Sequence, residues 1–114
     1  MVDRVPTRIA IVTGAAQGIG EAIALRLADD SIDVVINDLP AKKDKLDTVM
    51  NAIRAKGRRS LAVLGDATVE ADVVSLVETA VETFGSLDIV RLIHFIDTLR
   101  ALPYGENQPD VYVF

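Results

Sequence analysis

Two kinds of apolar pattern alternate along the chain. Short continuous runs occur at 9–12 (IAIV), at 33–38 (DVVIND, closed by two polar residues) and at 60–66 (SLAVLGD), and a fourth begins at Leu87. Runs of this length, rich in β-branched residues, predict strands covered on both faces. Between them apolar residues recur at helical spacing. Ile19, Ile23 and Leu27 fall four apart with Ala22, Ala24 and Ala28 beside them, and Leu46, Val49, Met50 and Ile53 fall at i, i+3, i+4 and i+7. Val73, Leu76, Val77, Ala80, Val81 and Phe84 make a third stripe. Each stripe predicts a helix with one buried face. Gly57 and Gly85 stand where a left-handed helix end favours a residue without a Cβ, and Thr68 is placed to cap the third helix with Glu70 and Asp72 near its positive end.

The order is strand, helix, strand, helix, strand, helix, strand. Such alternation implies right-handed crossovers and a parallel sheet of about four strands with helices on its faces, the first part of a doubly wound α/β fold. After Val90 the pattern fails. Residues 91–114 contain Pro103, Gly105 and Pro109 as turn punctuation, and only the segment IDTLRAL (96–102) suggests a short amphipathic helix. The expected division is therefore a nucleotide-binding portion at 1–90 and a tail of different character at 91–114.

Composition narrows the function. The 114 residues include 50% hydrophobic and 25% charged side chains, as an ordinary globular domain does, and carry a formal net charge of −5. No cluster of Lys and Arg exceeds a pair, which argues against nucleic acid or an anionic membrane as partner and leaves a small molecule or a protein. With no cysteine and a single histidine, thiolate chemistry, disulfides and a His-based metal cluster are excluded. No apolar run suits a signal peptide or a membrane span, so a cytoplasmic protein is expected.

The chemistry concentrates in TGAAQGIG, residues 13–20, between the first strand and the first helix. Glycines at such a junction let the backbone approach a pyrophosphate, and the free N–H groups of the helix start stabilise its charge. A tight turn without a ligand uses the same residues, but an acidic side chain, Asp38, also stands at the end of the second strand, 18 positions beyond Gly20. Strand, glycine turn, helix and distal carboxylate together point to a dinucleotide.

The chain resembles the N-terminal part of a short-chain dehydrogenase/reductase, whose fingerprint is T-G-x-x-x-G-x-G. Thr13, Gly14, Gly18 and Gly20 match it; GDAT (65–68) is similar to the family's element that contacts the adenine ring, carried by Asp66 and Ala67; and FGSLDIV (84–90) looks like its lead-in to strand 4. The resemblance implies a partial Rossmann fold and a cofactor site formed by Thr13, Gly14, Gln17, Gly18, Ile19, Gly20, Asp38, Asp66 and Ala67. It also implies NAD in preference to NADP. A carboxylate at Asp38 accepts ribose hydroxyls and repels an added phosphate, and Gln17 stands where NADP-preferring members often carry a basic residue. Read without a ligand, Asp38 is a solvated turn residue.

The match ends at Val90, where the family continues Asn-Asn-Ala-Gly and this chain continues Arg91, Leu92, Ile93, His94. The family's Ser and Tyr-x-x-x-Lys set has no counterpart: Tyr104 is followed four positions on by Gln108, Tyr112 lies too near the end, and no serine follows Ser86. His94, with Asp97 or Arg100 to orient it, is the one conventional acid/base candidate, although a histidine among Leu92, Ile93 and Phe95 reads more simply as a packed or surface residue. The expectation is an NAD-binding portion, truncated or frame-shifted relative to a complete enzyme and without catalytic residues. Two alternatives are a non-catalytic interaction module, pairing with itself or a full-length relative through an open strand-4 edge, and a complete dehydrogenase with an unfamiliar catalytic set.

Overall fold

The computed structural model describes residues 7–91 and 112–113. In chain order the elements are β1 (Ile9–Thr13), α1 (Gly18–Asp29), β2 (Asp33–Asp38), a single 3-10 turn (Pro40–Lys42), α2 (Lys43–Ala55), β3 (Ser60–Leu64), α3 (Glu70–Phe84), β4 (Ile89–Arg91) and β5 (Tyr112–Val113). All strand pairs are parallel, in the order β3-β2-β1-β4-β5. The doubly wound α/β architecture expected from the sequence is the one observed.

Alternate residues of the central strands serve two cores, which is why the apolar runs are continuous. Ile11 and Val35 face α3, where Val73, Leu76, Val77 and Ala80 are buried together with Leu87. Val12, Val34 and Ile36 face the other way, against Ala24 and Ala28 of α1 and Leu46, Val49 and Ile53 of α2. At the N-terminal end of the sheet the carboxylate of Asp33, 1% exposed, accepts from Arg59 through Nε at 2.7 Å and through the backbone N–H at 3.0 Å. The Arg59 guanidinium also lies 4.7 Å from the Phe84 ring centre. This ties β2, β3 and α3 at the end remote from the glycine turn.

Several boundaries and roles differ from the sequence reading. The seam of α1 is Gly20, Ala24 and Ala28, which are buried; Ile23 and Leu27 flank it half-buried, while Ala22 and Ile19 are exposed, Ile19 to 72%. Small residues let α1 lie close to the sheet, so the larger aliphatics border the contact rather than fill it. Thr68 does not cap α3. Val69 occupies the N-cap, and the Thr68 hydroxyl donates instead to Asp66 Oδ1 at 2.6 Å, the nearer acceptor in a tight turn. β3 ends at Leu64 rather than Asp66, and β4 starts at Ile89, with Leu87 buried ahead of it.

β4 runs through Arg91, opposite Val12, and its outer edge carries β5, with Ile89 paired to Tyr112 and Val90 to Val113. The edge expected to be open is thus covered over two residues by a strand from the tail. The expected helix at 96–102 and the residues His94, Asp97, Arg100 and Tyr104 lie outside the described residues. Gly57 and Gly85 take the expected positive φ of 84° and 87°.

Candidate functional site

A parallel sheet collects its loops at the C-terminal ends of its strands, and there the sequence motifs meet. Thr13 ends β1, Gly14 to Gln17 form the turn, and α1 starts at Gly18 with Gln17 as its N-cap. Gly14 and Gly18 have φ of +64° and +63°, and a Cβ built on either meets nothing within 4 Å, so open space lies above the turn. Gly20 is different. A Cβ there would overlap the Gly14 carbonyl oxygen and sit 2.7 Å from its carbon. The third glycine thus lets the first turn of α1 press against the loop, and the other two set its path.

Hydrogen bonds fasten this turn to β2. The Ala15 N–H donates to the Asn37 carbonyl at 3.0 Å, and the Ala16 N–H donates to Asp38 Oδ2 at 3.0 Å. Asp38 Oδ1 accepts the Leu39 N–H at 2.8 Å, and the Asp38 carbonyl accepts the Gly65 N–H at 3.0 Å. Asp38 is therefore oriented by both neighbouring segments and half-exposed at the lip of the turn. The first N–H groups of α1 have no acceptor within the helix and carry its partial positive charge.

Asn37 was not singled out by its sequence position. It is 3% exposed, and its amide donates to the carbonyls of Val63 at 3.0 Å and Gly65 at 3.2 Å, locking the ends of β2 and β3 together. Beyond β3, Asp66 accepts the Thr68 hydroxyl at 2.6 Å and the Thr68 N–H at 2.8 Å, and those two bonds hold its carboxyl below its ordinary pKa. Its own N–H donates to Asp72 Oδ2 at 2.9 Å. Ala67 packs half-buried against the α3 core.

The large apolar residues exposed among the described ones are Ile19, Leu39, Leu64 and Val69. All four lie in or at the start of the connections that leave the C-terminal ends of β1, β2 and β3: Ile19 in the first turn of α1, Leu39 after β2, Leu64 closing β3 and Val69 before α3. Exposed apolar side chains on the connections beside a glycine turn suit a ligand with a flat ring and an anionic stem. Sequence periodicity assigned Ile19 to a buried stripe; exposure, which depends on how α1 docks, reveals it beside the glycine turn instead.

A parallel α/β sheet with a glycine turn between β1 and α1 and a carboxylate at the end of β2 defines a class of nucleotide-binding proteins. Residues 8–93 match the family model described as short chain dehydrogenase, and the chain belongs to that family. It is 49% identical over 84 residues to a short-chain dehydrogenase/reductase of Hericium erinaceus, covering 72% of this chain and 33% of that one. A short-chain dehydrogenase/reductase of Armillaria gallica is 46% identical over 83 residues, 73% of this chain and 32% of that one. The 3-oxoacyl-[acyl-carrier-protein] reductase of Staphylococcus aureus is 38% identical over 84 residues, 74% and 34%.

Among solved structures, a short-chain dehydrogenase/reductase of Burkholderia phymatum in complex with NAD superposes with a TM-score of 0.70 at 28% identity, over 75% of this chain and 30% of that one. A blue fluorescent protein from a metagenomic library in complex with NADPH gives 0.71 at 34% identity, over 74% and 34%. The chain spans about a third of the length of the curated relatives it matches. Among the described residues no helix is long and apolar enough to cross a membrane.

Proposed function

We propose that residues 1–90 form the nicotinamide dinucleotide-binding portion of a short-chain dehydrogenase/reductase-type oxidoreductase and hold NAD in preference to NADP. Thr13, Gly14, Gln17, Gly18, Ile19 and Gly20 form the pyrophosphate side, Asp38 receives the adenosine ribose, and Asp66 and Ala67 border the adenine. The observation that carries this reading is the Asp38 carboxylate, held 3.0 Å from the Ala16 N–H, which aims a fixed negative charge across the glycine turn. A group so placed accepts two ribose hydroxyls and repels a phosphate on either of them. The related structures that hold NAD and NADPH support the cofactor class.

The bound dinucleotide would supply a hydride to or from a carbonyl carbon. The proton exchange at the oxygen needs an acid that these 114 residues do not offer in the family's arrangement, since no tyrosine is followed four positions on by lysine. On its own, therefore, the chain binds and does not turn over. Competitive titration of NAD and NADP tests the reading: unaltered chain should favour NAD, and Asp38→Ala should narrow the ratio by at least tenfold, the scale of one charge-assisted hydrogen bond of about 1.5 to 3 kcal/mol. Equal affinity for both cofactors in the unaltered chain would contradict it.

A further inference from the structure

Asn37 is a buried amide that follows the apolar run Val34, Val35 and Ile36. In register it lies between Thr13 of β1 and Val63 of β3, one residue before β2 ends. A polar side chain only 3% exposed has to find protein partners, and those at hand are the carbonyl oxygens of Val63 at 3.0 Å and Gly65 at 3.2 Å. Two acceptors fix which end of the amide faces them, since only its NH2 group can donate to both. The main chain of Asn37 reaches the other way: its carbonyl accepts the Ala15 N–H of the glycine turn at 3.0 Å. One residue thus joins that turn to the end of β3.

The ladder between β2 and β3 stops at the pair Asp38 and Leu64, and Gly65 follows. Glycine leaves the backbone free to turn in many directions, so whatever fixes the Gly65–Asp66 peptide decides where the Asp66 side chain leaves the chain. That peptide is held at both ends. Its oxygen accepts from Asn37, and its N–H donates to Asp72 Oδ2 at 2.9 Å. A Cβ built on Gly65 would sit 3.4 Å from the Asp72 Cβ, so the segment already lies close against the start of α3. The Asp38 carboxylate, by contrast, takes its direction from the Ala16 and Leu39 N–H groups and does not depend on the Asn37 side chain.

Resting on the dinucleotide reading above, we propose that Asn37 is a positioning residue for the adenine end of the ligand: by holding the Gly65–Asp66 peptide it aims the Asp66 carboxylate at the purine and sets a preference for a 6-amino over a 6-oxo ring. A carboxylate accepts a hydrogen bond from an amino group and is repelled by an oxo group, so the discrimination is only as sharp as the carboxylate's placement. Asn37 acts through the peptide, without contacting the ring.

The test titrates NAD, its 6-oxo analogue nicotinamide hypoxanthine dinucleotide and NADP by calorimetry into the full chain and into Asn37→Leu, which keeps the side chain's size and removes both donors. Partial unfolding weakens all three ligands by one factor, so the readings are ratios. Unaltered chain should favour NAD over the hypoxanthine analogue by about tenfold, the scale of one charge-assisted hydrogen bond. In Asn37→Leu that preference should shrink to about twofold, while the ratio of NAD to NADP stays within about twofold of the parent's. Asn37→Ser, whose single hydroxyl proton can serve only one carbonyl, should move the same ratio in the same direction and carries the comparison if the leucine variant does not fold. Equal losses for NAD and its analogue, an unchanged preference, or no preference in the unaltered chain would overturn the assignment, as would a collapse of the NAD to NADP ratio alongside it. If the unaltered chain bound none of the three, the dinucleotide reading itself would fall, and this inference with it.

Discussion

At Gly20 the backbone leaves no room for a side chain, because its missing Cβ is where the Gly14 carbonyl lies. Gly20→Ala must push the first turn of α1 off the loop, with an expected cost of about 1 to 3 kcal/mol in denaturant unfolding and loss of NAD binding. Gly18 carries a different constraint, a left-handed backbone with space beside it, so a substitution there strains the turn without a collision. The sequence motif marks both positions alike, and the separation of roles depends on the distance between loop and helix. Asn37 was illegible for a similar reason: a polar residue near a strand end reads as a solvated closing residue until the register of β3 brings two carbonyls to its amide. At Asp66 the lowered pKa comes first from the Thr68 hydroxyl and then from its N–H. A lowered carboxyl contributes stability that is full above the ordinary carboxylate range and is lost as the pH falls through the folded value. Thr68→Val should raise the Asp66 pKa toward the ordinary value, as read by an NMR titration of its carboxyl carbon; an unchanged midpoint would show that the hydroxyl bond does not persist in solution.

Among the elements, α1 ends in a way its sequence does not advertise. The Ile32 N–H bonds the Leu27 carbonyl at 3.1 Å and the Ser31 N–H bonds that of Ala28 at 3.1 Å, the paired bonds of a left-handed helix end. Ser31 sits in it with φ 67°, where glycine is the usual occupant. Ser31→Gly should therefore stabilise the chain by about 0.5 to 1 kcal/mol, the relief of left-handed strain less the added freedom of the unfolded chain. A thermal melt should rise by a few degrees; a fall would mean that the serine side chain contributes more than its strain costs. The helices and the first three strands were legible because each buries a stripe or a continuous run. The centre of the α1 seam is displaced from the predicted stripe because periodicity weighs large aliphatics, setting Ala24 and Ala28 beside them and leaving out Gly20. β5 was not foreseen, since two residues are too few to show any period.

Over the whole molecule the two ends of the sheet do different work. The N-terminal end is closed by the buried Asp33 and its arginine partners, while the C-terminal end leaves a glycine turn, an oriented carboxylate and several apolar side chains facing solvent. Ligand binding at that end should stabilise the fold by mass action, about 2.7 kcal/mol at a hundredfold excess over the dissociation constant. The chain carries a net charge of −5, so the attraction for an anionic cofactor has to be local, from the start of α1 rather than from the molecule's overall field. The central claim is that this turn holds a nicotinamide dinucleotide, and calorimetric titration of NAD into the full chain and into Gly20→Ala tests it most directly. The account predicts saturable binding at one site per chain, abolished in the variant while circular dichroism shows both proteins folded. Folded, unaltered chain giving no saturable heat with millimolar NAD, or a Gly20→Ala variant binding as the parent does, would contradict it.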